Sequence, residues 1–139
     1  MIKGSCHCGT VAFSVQRLSG PIAHCHCETC RKTHSAAFAT TAGVDRADFA
    51  WTKGQASLRH YESTPGKIRH FCGNCGAHLM AEWLERDTVI IRLGVLDDDP
   101  GASSEVHIWV CHDVPWMEHR PHIRELTEGA GRPEVASGK

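Results

Sequence analysis

Seven cysteines in three tight groups constrain this chain more than any other feature. They read Cys6-x-Cys8, Cys25-x-Cys27-x-x-Cys30 and Cys72-x-x-Cys75. Recurring close thiol pairs are how proteins assemble tetrahedral zinc sites. Four thiolates close one structural site. The remaining three leave an open coordination position, as catalytic zinc does. The count therefore points to two zinc ions with different roles, and the fold must bring distant thiols together.

Each short unit supplies half a tetrahedron. In an extended segment Cys6 and Cys8 would aim both sulfurs at one side. Phe71-Cys72-Gly73-Asn74-Cys75-Gly76 has the form of a zinc knuckle, with Gly76 free to adopt the turn that faces amides toward sulfur. Joining Cys6/Cys8 to Cys72/Cys75 would staple the N-terminus to mid-chain across more than sixty residues. The spacing leaves a second partition open, in which Cys25/Cys27 pair with Cys72/Cys75. Cys111, the eighth thiol, follows a strand and reads as a small buried residue.

The middle group, His24-Cys25-His26-Cys27-Glu28-Thr29-Cys30-Arg31, can converge on one ion without long-range help. His24 and His26 flank Cys25 and are expected to face away. Zinc with three thiolates carries one net negative charge, so cations at its rim are favourable. Arg31 and Lys32 are the candidates. Either could hold a substrate carboxylate, and either could be an ordinary solvated charge.

The rest of the chain is consistent with a small metalloprotein. At 139 residues it is expected to form one domain over residues 1–126, with a Gly-, Pro- and Glu-containing tail at 127–139. Fifteen basic against sixteen acidic residues leave no footprint for nucleic acid. No apolar run approaches the roughly 20 residues that cross a bilayer, so no membrane partner is expected. The N-terminus has no apolar secretory segment, which points to the cytoplasm. There, dense cysteine means metal or redox chemistry rather than disulfides.

Short runs rich in Val, Ile, Thr and aromatics predict strands over Thr10–Gln16, Phe38–Gly43, Ala56–Tyr61, Lys67–Phe71, Ala77–Trp83, Thr88–Leu93 and Val106–Val110. Helical turns are expected at Glu28–Thr33 and Asp45–Asp48. The fold class is mainly β. His107, Trp109 and Trp116 could line a pocket, but the reading preferred for them is core packing of a β-rich domain with four tryptophans.

Taken together, Gly4-Ser5-Cys6-His7-Cys8-Gly9-Thr10-Val11, Cys25-His26-Cys27-Glu28-Thr29-Cys30-Arg31, Phe71-Cys72-Gly73-Asn74-Cys75-Gly76, His107-Ile108-Trp109-Val110 and Pro115-Trp116 resemble the glutathione-dependent formaldehyde-activating (GFA) family, which includes centromere protein V. The resemblance implies a β-tent fold of small antiparallel sheets with cysteine knuckles and short helical turns. It implies a structural zinc on Cys6, Cys8, Cys72 and Cys75, and a catalytic-type zinc on Cys25, Cys27 and Cys30. The implied activity joins formaldehyde, or another aldehyde, to glutathione or a related thiol, giving S-hydroxymethylglutathione. It is a carbon–sulfur lyase activity in the reverse sense. The alternative is a non-catalytic zinc module or glutathione carrier. Cys111 and His112, in the linker before Pro115-Trp116, depart from the family pattern.

Overall fold

The computed structural model describes residues 1–117. The expected domain boundary at 126 and the tail at 127–139 lie outside the described residues. Two sheets carry the architecture. Strands β1 (Ile2–Ser5), β2 (Ala12–Val15) and β5 (Phe49–Lys53) form an antiparallel three-stranded sheet in the order β1-β2-β5. The larger sheet uses β3 (Ile22–Cys25), β4 (Ala39–Asp45), β6 (Leu58–Thr64), β7 (Lys67–Cys72), β8 (His78–Trp83), β9 (Thr88–Arg92) and β10 (Ser104–Ile108). Its order is β10-β3-β4-β9-β8-β7-β6, antiparallel except for the parallel β10–β3 pair. Helix α1 (Glu28–His34) follows β3 directly and extends one residue beyond the expected turn.

The fold is mainly β, as the residue pattern predicts, and each of the seven expected strands is present. β1, β3 and β5 were not legible in advance. They are only four or five residues long and interrupted by Gly, Lys or His, too short to display alternation. The last strand also ends earlier than expected. It stops at Ile108, after which Trp109 takes a left-handed backbone (φ 59°) and starts a 3-10 turn over Val110–His112.

The core lies between the sheets and is built from Val11, Phe13, Val15, Val44, Leu79, Val89 and Ile91, all essentially inaccessible. Each such side chain contributes about 1.5–3 kcal/mol on burial. Phe13 stacks on Phe49 at 5.4 Å and meets Trp51 edge-on at 6.2 Å. Gly4 pairs with Phe13 in the ladder, and a Cβ there would sit 2.3 Å from the Phe13 ring, so only glycine fits. The acidic segment after β9 is pinned to β1. Asp97 N–H donates to Lys3 O at 2.8 Å, and Ser5 Oγ donates to Asp97 Oδ1 at 2.9 Å.

Candidate metal centres

Two hairpin turns face each other where the sheets meet. The first leaves β1 and returns into β2; the second links β7 to β8. They are built alike. In the first, Cys6 N donates to Val11 O at 2.9 Å and Gly9 N donates to Cys6 O at 2.9 Å. In the second, Cys72 N donates to Ala77 O at 3.0 Å and Gly76 N donates to Cys72 O at 2.9 Å. Both turns need a left-handed residue, supplied by Gly9 (φ 74°) and Gly76 (φ 77°). Backbone amides point at the sulfurs: Val11 N donates to Cys6 Sγ at 3.2 Å, and Asn74 N and Cys75 N donate to Cys72 Sγ at 3.4 and 3.5 Å. Cys6 and Cys8 thus converge through a turn, and the extended segment expected for them is not what brings their sulfurs together.

The four sulfurs of Cys6, Cys8, Cys72 and Cys75 lie within 4.8 Å of one another. Cys6 to Cys8 is 3.6 Å and Cys8 to Cys72 is 3.8 Å. A tetrahedron with Zn–S arms of about 2.3 Å has edges of roughly 3.8 Å. The donor set therefore fits a tetrahedral thiophilic ion. The protein tunes these thiols unevenly. Burial pushes Cys6 up to about 11, while the Thr10 hydroxyl and then the Asn74 amide hold Cys8 down to about 5. The partition joining Cys25/Cys27 to Cys72/Cys75 is not the one adopted.

The second cluster is local. β3 ends at Cys25, and α1 opens two residues after His26 with Cys27 as its cap residue, whose Sγ accepts from Cys30 N at 3.3 Å. Strand end and helix start bring Cys25, Cys27 and Cys30 within 4.8 Å, with no further Cys, His or carboxylate in the set among the described residues. Cys25 and Cys30 are buried; Cys27 is half-buried. Arg69, 1% exposed, directs Nη1 and Nη2 at Cys30 Sγ from 3.9 and 4.0 Å while its Nε donates to Ser63 Oγ at 2.8 Å. Arg92 is also buried, with Nε and Nη2 lacking any hydrogen-bond acceptor among the described residues. Cys30 is held down to about 4, first by a hydrogen bond from Cys25 and then by the fields of Arg92 and Arg69 against the cost of burial. Hydrogen bonding to Cys30 and burial push Cys25 upward.

A cavity of about 370 Å³ opens on Cys25 and Cys27. Its walls include Lys67, Arg69, Trp83, Trp109 and His112. A family model for the glutathione-dependent formaldehyde-activating enzyme matches residues 1–112. The chain belongs to the GFA family. A Halomonas elongata protein with the provisional name glutathione-dependent formaldehyde-activating enzyme is 31% identical, the match covering 85% of this chain and 80% of that protein. The crystal structure of a Rhodobacter sphaeroides protein superposes with a TM-score of 0.63 at 25% identity, covering 76% of this chain and 97% of that one.

Within this GFA chain several expected residues fall elsewhere. Arg31 donates through Nε to His26 O (3.3 Å) and through Nη2 to His112 O (3.2 Å), tying α1 to the turn after β10. It lines a different cavity, beside Lys32 and Trp116. Lys32 is exposed and pairs with Glu28 at 3.4 Å along the helix. Trp109 and Trp116 are 57% and 67% exposed, and His107 is exposed, which corrects the expectation that they pack the core. The left-handed residue at 109 explains the first: it ends the strand and places the indole in the cavity wall. Cys111 is likewise exposed rather than buried, because it sits on the 3-10 turn and not in the sheet.

His24 and His26 stay out of the sulfur clusters, as expected. His24 Nδ1 meets Thr40 Oγ1 at 2.9 Å, and buried His26 bridges Asp113 Oδ1 (3.0 Å) and His107 Nδ1 (2.7 Å). Arg69 and Arg92 were missed altogether. Lys67-x-Arg69 on a strand next to a cysteine cluster was the available signal, since period two puts both on one face.

Proposed function

We propose that the chain binds glutathione or a related thiol at the Cys25/Cys27/Cys30 centre and joins it to formaldehyde or another small aldehyde. On this reading the other cluster, Cys6/Cys8/Cys72/Cys75, is purely structural. The observation that carries the proposal is a three-sulfur set with an open side facing a cavity lined by Lys67 and Arg69. Zinc held there would supply a site where a fourth, exogenous sulfur is stable as thiolate at neutral pH.

The chain's own residues do the remaining work. Arg92 and Arg69 place positive charge beside the cluster and favour the thiolate of Cys30. Trp83 and Trp109 supply apolar wall to the cavity. In the reaction a C–S bond forms between the thiol sulfur and the aldehyde carbon. The carbonyl π pair moves to oxygen, and the proton released by the thiol ends on that oxygen. No oxidant or reductant is required. Arg69 is the cation on the cavity side nearest the sulfurs, suited to offset the developing oxyanion.

Three protein thiolates make any bound zinc electron-rich and a weak Lewis acid, so thiol positioning outweighs carbonyl polarisation. The same argument favours the second reading, a thiol carrier without turnover. The test is calorimetric titration of the zinc-loaded protein with glutathione, followed by the rate of hemithioacetal formation against the uncatalysed background. Saturable binding with a rate gain supports the enzyme. Saturable binding without one supports the carrier, and no binding removes both.

A further inference from the structure

Lys67 opens β7 and shares a face with Arg69, two residues on. Its side chain is half-buried in the wall of the cavity that opens on Cys25 and Cys27. The ammonium lies 5.1 Å from the centroid of the Trp83 ring. Among the described residues it has no ion pair and no hydrogen-bond acceptor. An ammonium has three donors, and a ring face satisfies only one direction.

The charges around the centre do not balance. Three thiolates with one divalent zinc carry one negative charge, whereas Lys67, Arg69 and Arg92 carry three positive ones. Among the described residues none of the three cations is paired with a carboxylate. Glu28 reaches the cavity mouth, but it is exposed and already paired with Lys32. A bound thiolate removes one of the two excess charges. One cation is still left without a counter-charge in a partly desolvated cavity.

The three cations are not equally available. Arg69 is committed to Cys30 and Ser63 and is 1% exposed. Arg92 is 4% exposed, and it borders a separate cavity beside His34 and His78. Lys67 alone presents a cation to the same cavity with its donors uncommitted. We infer that Lys67 is the carboxylate anchor of this cavity, so that the site selects thiols carrying a carboxylate over neutral thiols of equal length. The inference rests on the reading that a thiol enters at the three-cysteine centre. It adds the second point of recognition, at the far end of the ligand. Burial first, then Arg69, lowers the Lys67 pKa, and an incoming carboxylate would relieve that penalty.

The test uses the full chain loaded with zinc and two probes, glutathione and its diester, in which both carboxylates are capped. Calorimetry is run on the wild type, Lys67→Met and Arg86→Met. Met keeps the apolar stem of Lys67. Arg86 is an exposed cation also 5.1 Å from the Trp83 ring, so it controls for diffuse charge. Wild type should bind the free acid about tenfold or more tightly than the diester. Lys67→Met should abolish that preference, leaving diester affinity unchanged, and Arg86→Met should retain it. A preference that survives in Lys67→Met overturns the anchor, as does equal loss in Arg86→Met. Diester binding equal to that of glutathione in the wild type also overturns it while leaving the thiol site intact. Failure of both probes to bind wild type removes the thiol site itself, and the anchor with it.

Discussion

The Arg69 guanidinium approaches Cys30 Sγ at 3.9 Å across 39 residues of sequence. A nearly inaccessible arginine is stable only where an anion compensates it, and here the partner is a cysteine sulfur. The pair fixes β7 against the start of α1 and gives the thiolate cluster a positive wall. The three-cysteine centre is thus local in its ligands and long-range in its electrostatics.

Removing that wall should weaken metal retention. Arg69→Met is expected to lower zinc affinity at the three-cysteine centre by about 10–100-fold, leaving the four-cysteine site loaded. Chelator competition followed by zinc stoichiometry reads this directly. Arg69→Lys should recover only part of the loss, since one ammonium cannot face Cys30 and Ser63 as the fork does. Full retention of zinc in Arg69→Met would remove the arginine from the site.

The two clusters should part company on mutation. Structural zinc sites contribute about 10–16 kcal/mol in small peptides, at or above whole-domain stability. Cys72→Ser should therefore give an insoluble or non-cooperative chain. Cys27→Ser should fold and melt cooperatively while its zinc content falls from about two ions towards one. A cooperatively melting Cys72→Ser variant with unchanged melting temperature would contradict the structural assignment.

Arg31 is expected to act through the cavity wall and not on the ligand. Its two hydrogen bonds, to His26 O and His112 O, tie the segment before α1 to the turn that follows Trp109. Arg31→Ala should weaken glutathione binding by about 0.5–1.5 kcal/mol with both zinc ions retained. Equal calorimetric affinities for variant and wild type would exclude it.

His78 gives the fold an acid-sensitive element. Burial, with His34 and Arg92 nearby, lowers its pKa to about 4, below its ordinary value near 6.5. The unfolded chain then binds the proton more readily than the folded one. The stabilisation is fully present above the unfolded pKa and is lost progressively as pH falls from about 6.5 towards 4. His78→Gln should flatten this dependence. The measurement is the difference in melting temperature between wild type and variant at pH 7.5 and pH 5.5, in which metal loss common to both cancels. A pH-independent difference would sink the assignment.

The sequence by itself determined the donor groups. Cysteine spacing is covalent information, and a C-x-x-C turn closed by glycine holds its two sulfurs together wherever it lies in the fold. The grouping of Cys25, Cys27 and Cys30 was legible for the same reason, as were seven strands long enough to show their apolar pattern. Tertiary structure alone decided how the pairs combine. It placed the turn after β1 against the turn after β7 and excluded the rival pairing, since strand order is not written in local spacing. It also decided the charge of the thiol site. Arg69 and Arg92 come from strands far along the chain, and no local spacing ties them to the cysteines. Trp109 looked like core until the backbone turned left-handed at the end of β10 and put its ring in the cavity wall. Ligand spacing is a local property, whereas the field around the ligands is a sum over neighbours that only the folded chain assembles.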